Sequence, residues 1–203
     1  MGYDKPDFWA EKARREGYPA RSVYKLKELN EKFSLLSAAP VFKVLDLGAA
    51  PGSWSLYVLK TVKKPVSLVA CDLNPLSRAA GCEAFDNPAL CHELVMDFTS
   101  EEAREAIAGY GAFNLILSDA APATTGNRAL DTSRSFYLAE AALFYAANHL
   151  EKKGRCAIKI FQGAESAQLI QKARGLFSAV KCFKPKAVRP SSFETYLVGV
   201  DRF

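Results

Sequence analysis

Lys159 stands in the run "CAIKIF", which is otherwise made for the interior of a sheet. A charge there is either a stem that snorkels to water or an amine kept for proton transfer. Four acids raise a similar question: Asp46 lies in the run "VLDLG", and Asp72, Asp97 and Asp119 close the runs ending "ACD", "VMD" and "LSD". Each alone reads as the N-cap of a following helix, a position that favours Asp. Four in succession around one glycine turn, Gly48 to Gly52 in "GAAPG", read instead as groups that share a cleft. The glycines let the backbone approach a ligand closely, and a helix starting just beyond offers free amide hydrogens. A P-loop is excluded, because Ser53-Trp54 stand where Lys and then Ser or Thr are required. The pattern GxGxxG is also absent, and Pro51 lacks the amide hydrogen that a pyrophosphate cradle would use. Asp72, 24 residues past Gly48, suits both hydroxyls of an adenosine ribose and argues against a 2′-phosphate. Acids facing one cleft also suit a ligand with an ammonium and a sulfonium charge, which S-adenosylmethionine combines.

Such residues need a sheet whose strands end together. Seven short apolar runs, "FKVLDLG", "SLVACD", "LCHELVMD", "FNLILSD", "RCAIKIF", "VKCFKP" and "ETYLVGVDRF", alternate with helical patterns near 53–60, 75–85, 99–109, 131–151 and 163–177. Continuous apolar strands between helices predict an α/β fold, a doubly wound parallel sheet covered on both faces. The last two runs are joined by "KAVRPSS", which has no helical pattern, so they are expected to form an antiparallel hairpin at or near the sheet edge. Residues 1–19 read as polar and loosely structured, and Val23, Leu26, Leu29 and Phe33 then recur at helical spacing. No linker or repeat divides the chain, so residues 1–203 are read as one domain with a basic N-terminal extension and helix, about 1–37, packed on the core.

The formal charge is +5, concentrated at two places: six Lys or Arg and no acid between Lys172 and Arg189, and eight basic against five acidic residues over 5–32. Such patches suit a polyanion or are simply solvated faces. Trp9, Phe8, Tyr18 and Tyr24 stand among the first of these charges, either to stack on bases or to pack the helix. In the loop "TTGNRALDTSRS", Arg128 and Arg134 are placed to meet phosphates if that loop lies over the site. Five cysteines without a CxxC pair argue for reduced thiols. Cys82, Cys91 and His92 lack the paired spacing and fourth ligand of structural zinc, so no metal is expected. The charged start and the lack of a long apolar stretch point to a cytoplasmic protein with no membrane partner.

The sequence resembles the FtsJ/RrmJ (RlmE) family of S-adenosylmethionine-dependent RNA ribose 2′-O-methyltransferases. The pieces that carry the resemblance are "ARSVYKLKEL", "VLDLGAAPGSWS", "ACDLNP", "MDF", "LSDAAPATTG", "CAIKIF" and "RPSSFETYLVGV", in family order along nearly the whole chain. The resemblance implies a Rossmann-like, seven-stranded methyltransferase sheet, mostly parallel with an antiparallel last strand. It implies cofactor contacts at Gly48, Gly52, Trp54, Asp72, Asp97 and Asp119, and a catalytic tetrad of Lys25, Asp119, Lys159 and Glu194. It further implies a monomer whose partner is RNA, a uridine of large-subunit ribosomal RNA being favoured. A tRNA anticodon loop, or a non-catalytic RNA-binding or assembly role, stands as the alternative. Ser53 replaces the family's usual second glycine, and the segment between Asp72 and Asp97 is longer than in the bacterial rRNA enzymes.

The implied tetrad makes chemical sense. A ribose hydroxyl becomes a good nucleophile only as its proton is removed, and a lysine can accept that proton where burial or a second cation lowers its affinity for it. On this reading Lys159 is the base, Lys25 and Glu194 orient the hydroxyl, and Asp119 holds the lysines and the cofactor. Much of the acceleration would then come from aligning oxygen, methyl carbon and sulfur.

Overall fold

The computed structural model describes residues 8–36, 42–123, 125–163 and 165–203. Its strands are β1 (Phe42–Leu47), β2 (Val66–Asp72), β3 (Cys91–Val95), β4 (Phe113–Ser118), β5 (Leu150–Phe161), β6 (Phe177–Phe183) and β7 (Glu194–Arg202). They form one sheet in the order β3-β2-β1-β4-β5-β7-β6. β1 to β5 pair in parallel, whereas β7 runs antiparallel to both β5 and β6. The hairpin expected at the edge is therefore present, with β7 tucked between β5 and the edge strand β6.

The central strands bury both faces, as their unbroken apolar runs require. Val44, Leu68, Ala70, Leu115 and Leu117 pack on one side beneath α2 (Val23–Phe33) and α3 (Ser53–Thr61), with Leu26, Leu29 and Leu56 as the helical partners. Leu45, Val69 and Ile116, their neighbours in sequence, face the other side and meet Ile107 of α4 (Glu101–Ala108), Ala142 and Tyr145 of α5 (Arg128–His149) and Leu169 of α6 (Ser166–Arg174). The alternation decides which residues can reach the first face at the carboxyl ends of the strands.

Two elements differ from the sequence expectation. The stretch 75–85 is not a helix: Leu76 N donates to Glu93, Arg78 is ion-paired to Glu93 and Asp86, and only Glu83–Asp86 coils, as a 3-10 turn. Pro75 and Gly81 disfavour continuous helix, and the charges pull the chain toward β3. Nor is the start wholly irregular, since Phe8–Arg15 forms the helix α1 and buries Ala13 against Tyr24. Residues 1–7 of the expected loose segment, and residue 37 of the expected extension, lie outside the described residues.

Candidate active site

The glycine turn follows β1. Gly48 adopts φ +70°, and a Cβ there would come within 2.6 Å of the Ala120 Cβ. The absent side chain lets the chain after β4 lie directly beside the turn. Gly52, at φ +104°, precedes α3, and a Cβ there would strike the Phe85 ring at 2.7 Å. The 3-10 turn of the long segment thus supports the glycine turn from below.

Beyond these strand ends opens a cavity of about 950 Å³, whose walls include Gly48, Ala50, Asp72, Asp97 and Asp119. Asp72 accepts hydrogen bonds from Ala50 N at 3.0 Å and Asn74 N at 2.8 Å, which fix its carboxylate at the mouth of the turn. Asp97 accepts from Thr99 N and Thr99 Oγ1, both at 2.8 Å, and leaves the N-cap of α4 to Ser100. Neither aspartate is spent on capping a helix. Leu73, 69% exposed, adds an uncovered apolar surface beside Asp72.

Asp46 does not join this cleft. The alternation turns it onto the α3 side, where it is fully buried and accepts from Ser55 Oγ at 2.7 Å. Burial pushes its carboxyl up to about 7, against the weaker opposing effect of that hydrogen bond. Gly52 and Trp54 also lie off the cavity wall. Trp54 is turned into the core, packs on Tyr196 at 5.7 Å and donates its indole hydrogen to Ser22 O at 2.8 Å. Ser53 contributes a similar tie: its hydroxyl accepts from Ala20 N at 2.7 Å and donates to Ala20 O at 3.1 Å. The residue that departs from the family pattern therefore links the turn to the lead-in of α2.

Strand register gathers the four tetrad residues. Ser118 pairs with Ile158, so Asp119 emerges beside Lys159; Tyr196 lies opposite Lys159, and Glu194 opposite Phe161. Positions two apart share a face, so Lys159, Tyr196 and Glu194 all project toward α2. Lys159, only 6% exposed, donates to Asp119 O at 2.7 Å and lies 2.7 Å from Asp119 Oδ1. Its stem does not snorkel. Lys25, one helical turn before Leu29, reaches Glu194 Oε1 at 2.6 Å and Asp119 Oδ1 at 3.6 Å. Two cations and two anions form one closed cluster.

Tyr196, not singled out from the sequence, completes the cluster by donating its hydroxyl hydrogen to Asp119 Oδ1 at 2.5 Å. Its position two residues after Glu194 in "ETY" was the available signal. Burial, together with Asp119 and Glu194, pushes the phenol well above its ordinary range, so it stays a donor. Burial alone would raise the Asp119 carboxyl, but Lys159 and Lys25 prevail and hold it below the usual value. Asp119 is an anion fixed between two lysines at the edge of the large cavity.

On the other side of the cluster lies a second hollow of about 330 Å³, bordered by Arg21, Ser22, Lys25, Arg189, Ser191, Ser192 and Glu194. Of the remaining expected contacts, Arg134 lines the large cavity, and Arg128 stacks over Phe193 at 5.1 Å. Trp9 and Tyr24 pack on each other at 4.8 Å. Cys82 and Cys91 are buried, while His92 stacks on Tyr110 at 5.0 Å. Among the described residues no group of three His, Cys, Asp or Glu is placed to hold a metal, and no helix is long and apolar enough to cross a membrane.

Comparison with known proteins adds a family to this geometry. The family described as FtsJ-like methyltransferase matches residues 18–202. A protein of Treponema denticola named ribosomal RNA large subunit methyltransferase E is 45% identical over 199 residues, 98% of this chain and 96% of that one. A protein of the same name from Borreliella afzelii is 45% identical over 193 residues, 95% and 96% of the two chains. Among solved structures, a Plasmodium falciparum chain assigned as a ribosomal RNA methyltransferase superposes with a TM-score of 0.75 at 22% identity, over 91% of this chain and 98% of that one. Human methyltransferase-like protein 13, in complex with SAH, gives 0.56 at 13% identity, over 88% and 79%. These two likenesses concern the fold.

Proposed function

The chain belongs to the FtsJ-like methyltransferase family, and from that premise we propose that it transfers the methyl of S-adenosylmethionine to a ribose 2′-hydroxyl of RNA. A uridine of large-subunit ribosomal RNA is the preferred target, in keeping with the names of relatives 41 to 45% identical. The observation that carries the reading is the closed Lys25, Asp119, Lys159 and Glu194 cluster between a cavity edged with carboxylates and a hollow edged with arginines.

The cavity fits the cofactor. Gly48 has no Cβ to fill the turn, Asp72 holds a carboxylate where an adenosine ribose needs an acceptor, and Leu73 offers apolar cover for an adenine. Asp97 would accept from the adenine or its ribose, and Asp119 would face the cationic end. When bound there, the cofactor would supply a methyl on a positively charged sulfur, the electrophile and leaving group that a displacement by the hydroxyl oxygen requires. Lys159, once its ammonium has released a proton to solvent, takes the proton of that hydroxyl as a neutral amine. Lys25 and Glu194 hold the ribose from the α2 side, and Asp119 keeps both lysines in position while its own place is secured by Tyr196. Positioning of this kind provides much of the rate in a displacement that needs little further chemistry.

The test is transfer of labelled methyl by the purified protein to large ribosomal subunits, naked ribosomal RNA and bulk tRNA in parallel, with the product mapped. Label at a 2′-O-methyl uridine of the large-subunit RNA is expected. Label on tRNA alone would keep the chemistry and refute the target. Cofactor binding without transfer to any of the three would refute the proposed activity.

A further inference from the structure

We infer that Phe85 is a positioning residue for the cofactor: its ring holds the glycine turn in the shape that S-adenosylmethionine needs, which makes the long segment after β2 a brace of the cofactor cavity. This rests on the reading of the chain as an S-adenosylmethionine-dependent methyltransferase. Phe85 is not among the residues that line the cavity, so it acts through those it touches.

The segment meets the turn at three points. The Phe85 ring is buried, and its Cε2 and Cζ atoms lie 2.7 Å from where a Gly52 Cβ would stand. Leu76 Cδ2 lies 3.4 Å from the same point. Ser77 N donates to Pro51 O at 3.0 Å. The residue before Pro51 is Ala50, whose amide donates to Asp72 Oδ2 at 3.0 Å. Two apolar contacts and one hydrogen bond on Pro51 and Gly52 thus fix, through Ala50, the carboxylate assigned to the adenosine ribose. Gly52 N also donates to Ala49 O at 2.7 Å, so a shift of Gly52 carries the rest of the turn with it.

The brace is itself anchored. Phe85 N donates to Cys82 O at 3.0 Å inside the 3-10 turn, and Cys82 is buried in the same core as Phe85 and Trp54. Arg78 Nε lies 3.2 Å from Asp86 Oδ1, and the same guanidinium pairs with Glu93 of β3. Where the segment enters β3, Cys91 N donates to Asn87 O at 3.0 Å. A ring surrounded by side chains alone would contribute stability and nothing more. This ring stands against the backbone of the turn, where close packing transmits a displacement instead of absorbing it. A site whose groups must be held to within about half an ångström loses function when such a support is withdrawn.

The experiment is calorimetric titration of wild type, Phe85→Leu, Phe85→Tyr and Phe113→Leu with S-adenosylmethionine. Thermal unfolding, amide hydrogen exchange over 48–54 and methyl transfer to large ribosomal subunits are measured beside it. Phe113, buried at the end of β4 away from Asp119, controls for the loss of a buried ring. Phe85→Leu withdraws the atoms that face Gly52, and Phe85→Tyr adds an oxygen on Cζ, which already stands against it. Both are expected to weaken cofactor affinity roughly tenfold and to speed exchange of the turn amides. Phe113→Leu should lower the unfolding temperature as much as Phe85→Leu does and leave cofactor affinity at the wild-type value. In transfer assays the loss should fall on the KM for the cofactor, with kcat at saturating cofactor and the KM for subunits unchanged. Wild-type affinity in both Phe85 variants overturns the inference and leaves the parent reading intact. A loss of affinity shared equally by Phe113→Leu overturns it too, because Phe85 would then serve stability alone. A wild type that does not bind S-adenosylmethionine overturns the parent reading, and the brace with it.

Discussion

Replacing Lys159 by Met removes the ammonium while filling nearly the same buried length, and its consequences follow from the distances. At an effective dielectric near 20, unit charges 2.7 Å apart attract by roughly 6 kcal/mol and at 3.6 Å by roughly 5 kcal/mol. The variant loses the first attraction to Asp119 and keeps the second, together with the Tyr196 hydrogen bond. Asp119 therefore remains a held anion, and the fold loses less than the roughly 3 to 5 kcal/mol typical of a buried charge stripped of its partner. Proton acceptance is lost altogether, which for a positioned base is worth about 10² to 10⁴ in rate, or about 3 to 5 kcal/mol of barrier. The Asp119 carboxyl should also move up toward its ordinary value, because Lys159 is the stronger of the two cations that depress it. A depressed carboxyl contributes stability above its unfolded value and loses it as pH falls, so the stability gap between wild type and Lys159→Met should be widest near neutral pH and narrow as the pH falls below about 4. The assays are labelled methyl transfer, calorimetric titration with S-adenosylmethionine, and urea unfolding from acid to neutral pH. Near-normal turnover would refute Lys159 as the base. A cofactor affinity that falls as far as the rate would show that Lys159 serves the cofactor cavity instead.

Asp72→Asn should weaken S-adenosylmethionine binding by about 10- to 100-fold, as expected when a charged hydrogen-bond acceptor loses its charge, and calorimetric titration reads it directly; unchanged affinity would remove Asp72 from the cofactor site. Asp46→Asn keeps an acceptor for Ser55 but cannot ionise. Because the buried Asp46 carboxyl titrates near 7, its favourable contribution is present below about pH 4 and is lost as pH rises through about 7. Urea unfolding should therefore find the Asn variant gaining on wild type from about pH 4.5 to about pH 8, and a constant difference would contradict the raised value. Ser53→Ala removes both bonds to Ala20 and should cost about 1 to 3 kcal/mol, with a raised KM for RNA in transfer assays; an unchanged KM would separate the glycine turn from the placement of α2.

The parallel strands were legible because burial on both faces demands unbroken apolar runs, and the reversed β7 was legible because "KAVRPSS" contains no helix to carry a crossover. The 75–85 stretch misled for a physical reason. Its apolar residues fit a helix, but Glu93, seventeen positions beyond Leu76, takes that backbone amide and the Arg78 guanidinium. Local periodicity carries no trace of such a partner. Trp54 shows the same limit: its place in the motif identifies a turn, yet its indole is committed to Ser22 and its ring to Tyr196.

The members of the cluster come from α2, the end of β4, β5 and β7, and no spacing links them, so in the sequence only the family resemblance groups them. What links them is register. Once Ser118 pairs with Ile158 and Lys159 with Tyr196, the period of two places Asp119, Lys159, Tyr196 and Glu194 on the face that α2 covers. A slip of one residue in the β5–β7 pairing would turn Tyr196 and Glu194 to the opposite face and leave Lys159 and Lys25 each with Asp119 alone. Register is therefore as much a part of the site as the side chains are. It is held by residues with no chemistry of their own, Ala157, Ile158, Leu197 and Val198, whose burial on alternate faces forbids the slip. Their conversion to polar residues should abolish activity through the sheet, even though none of them touches the cluster's charges.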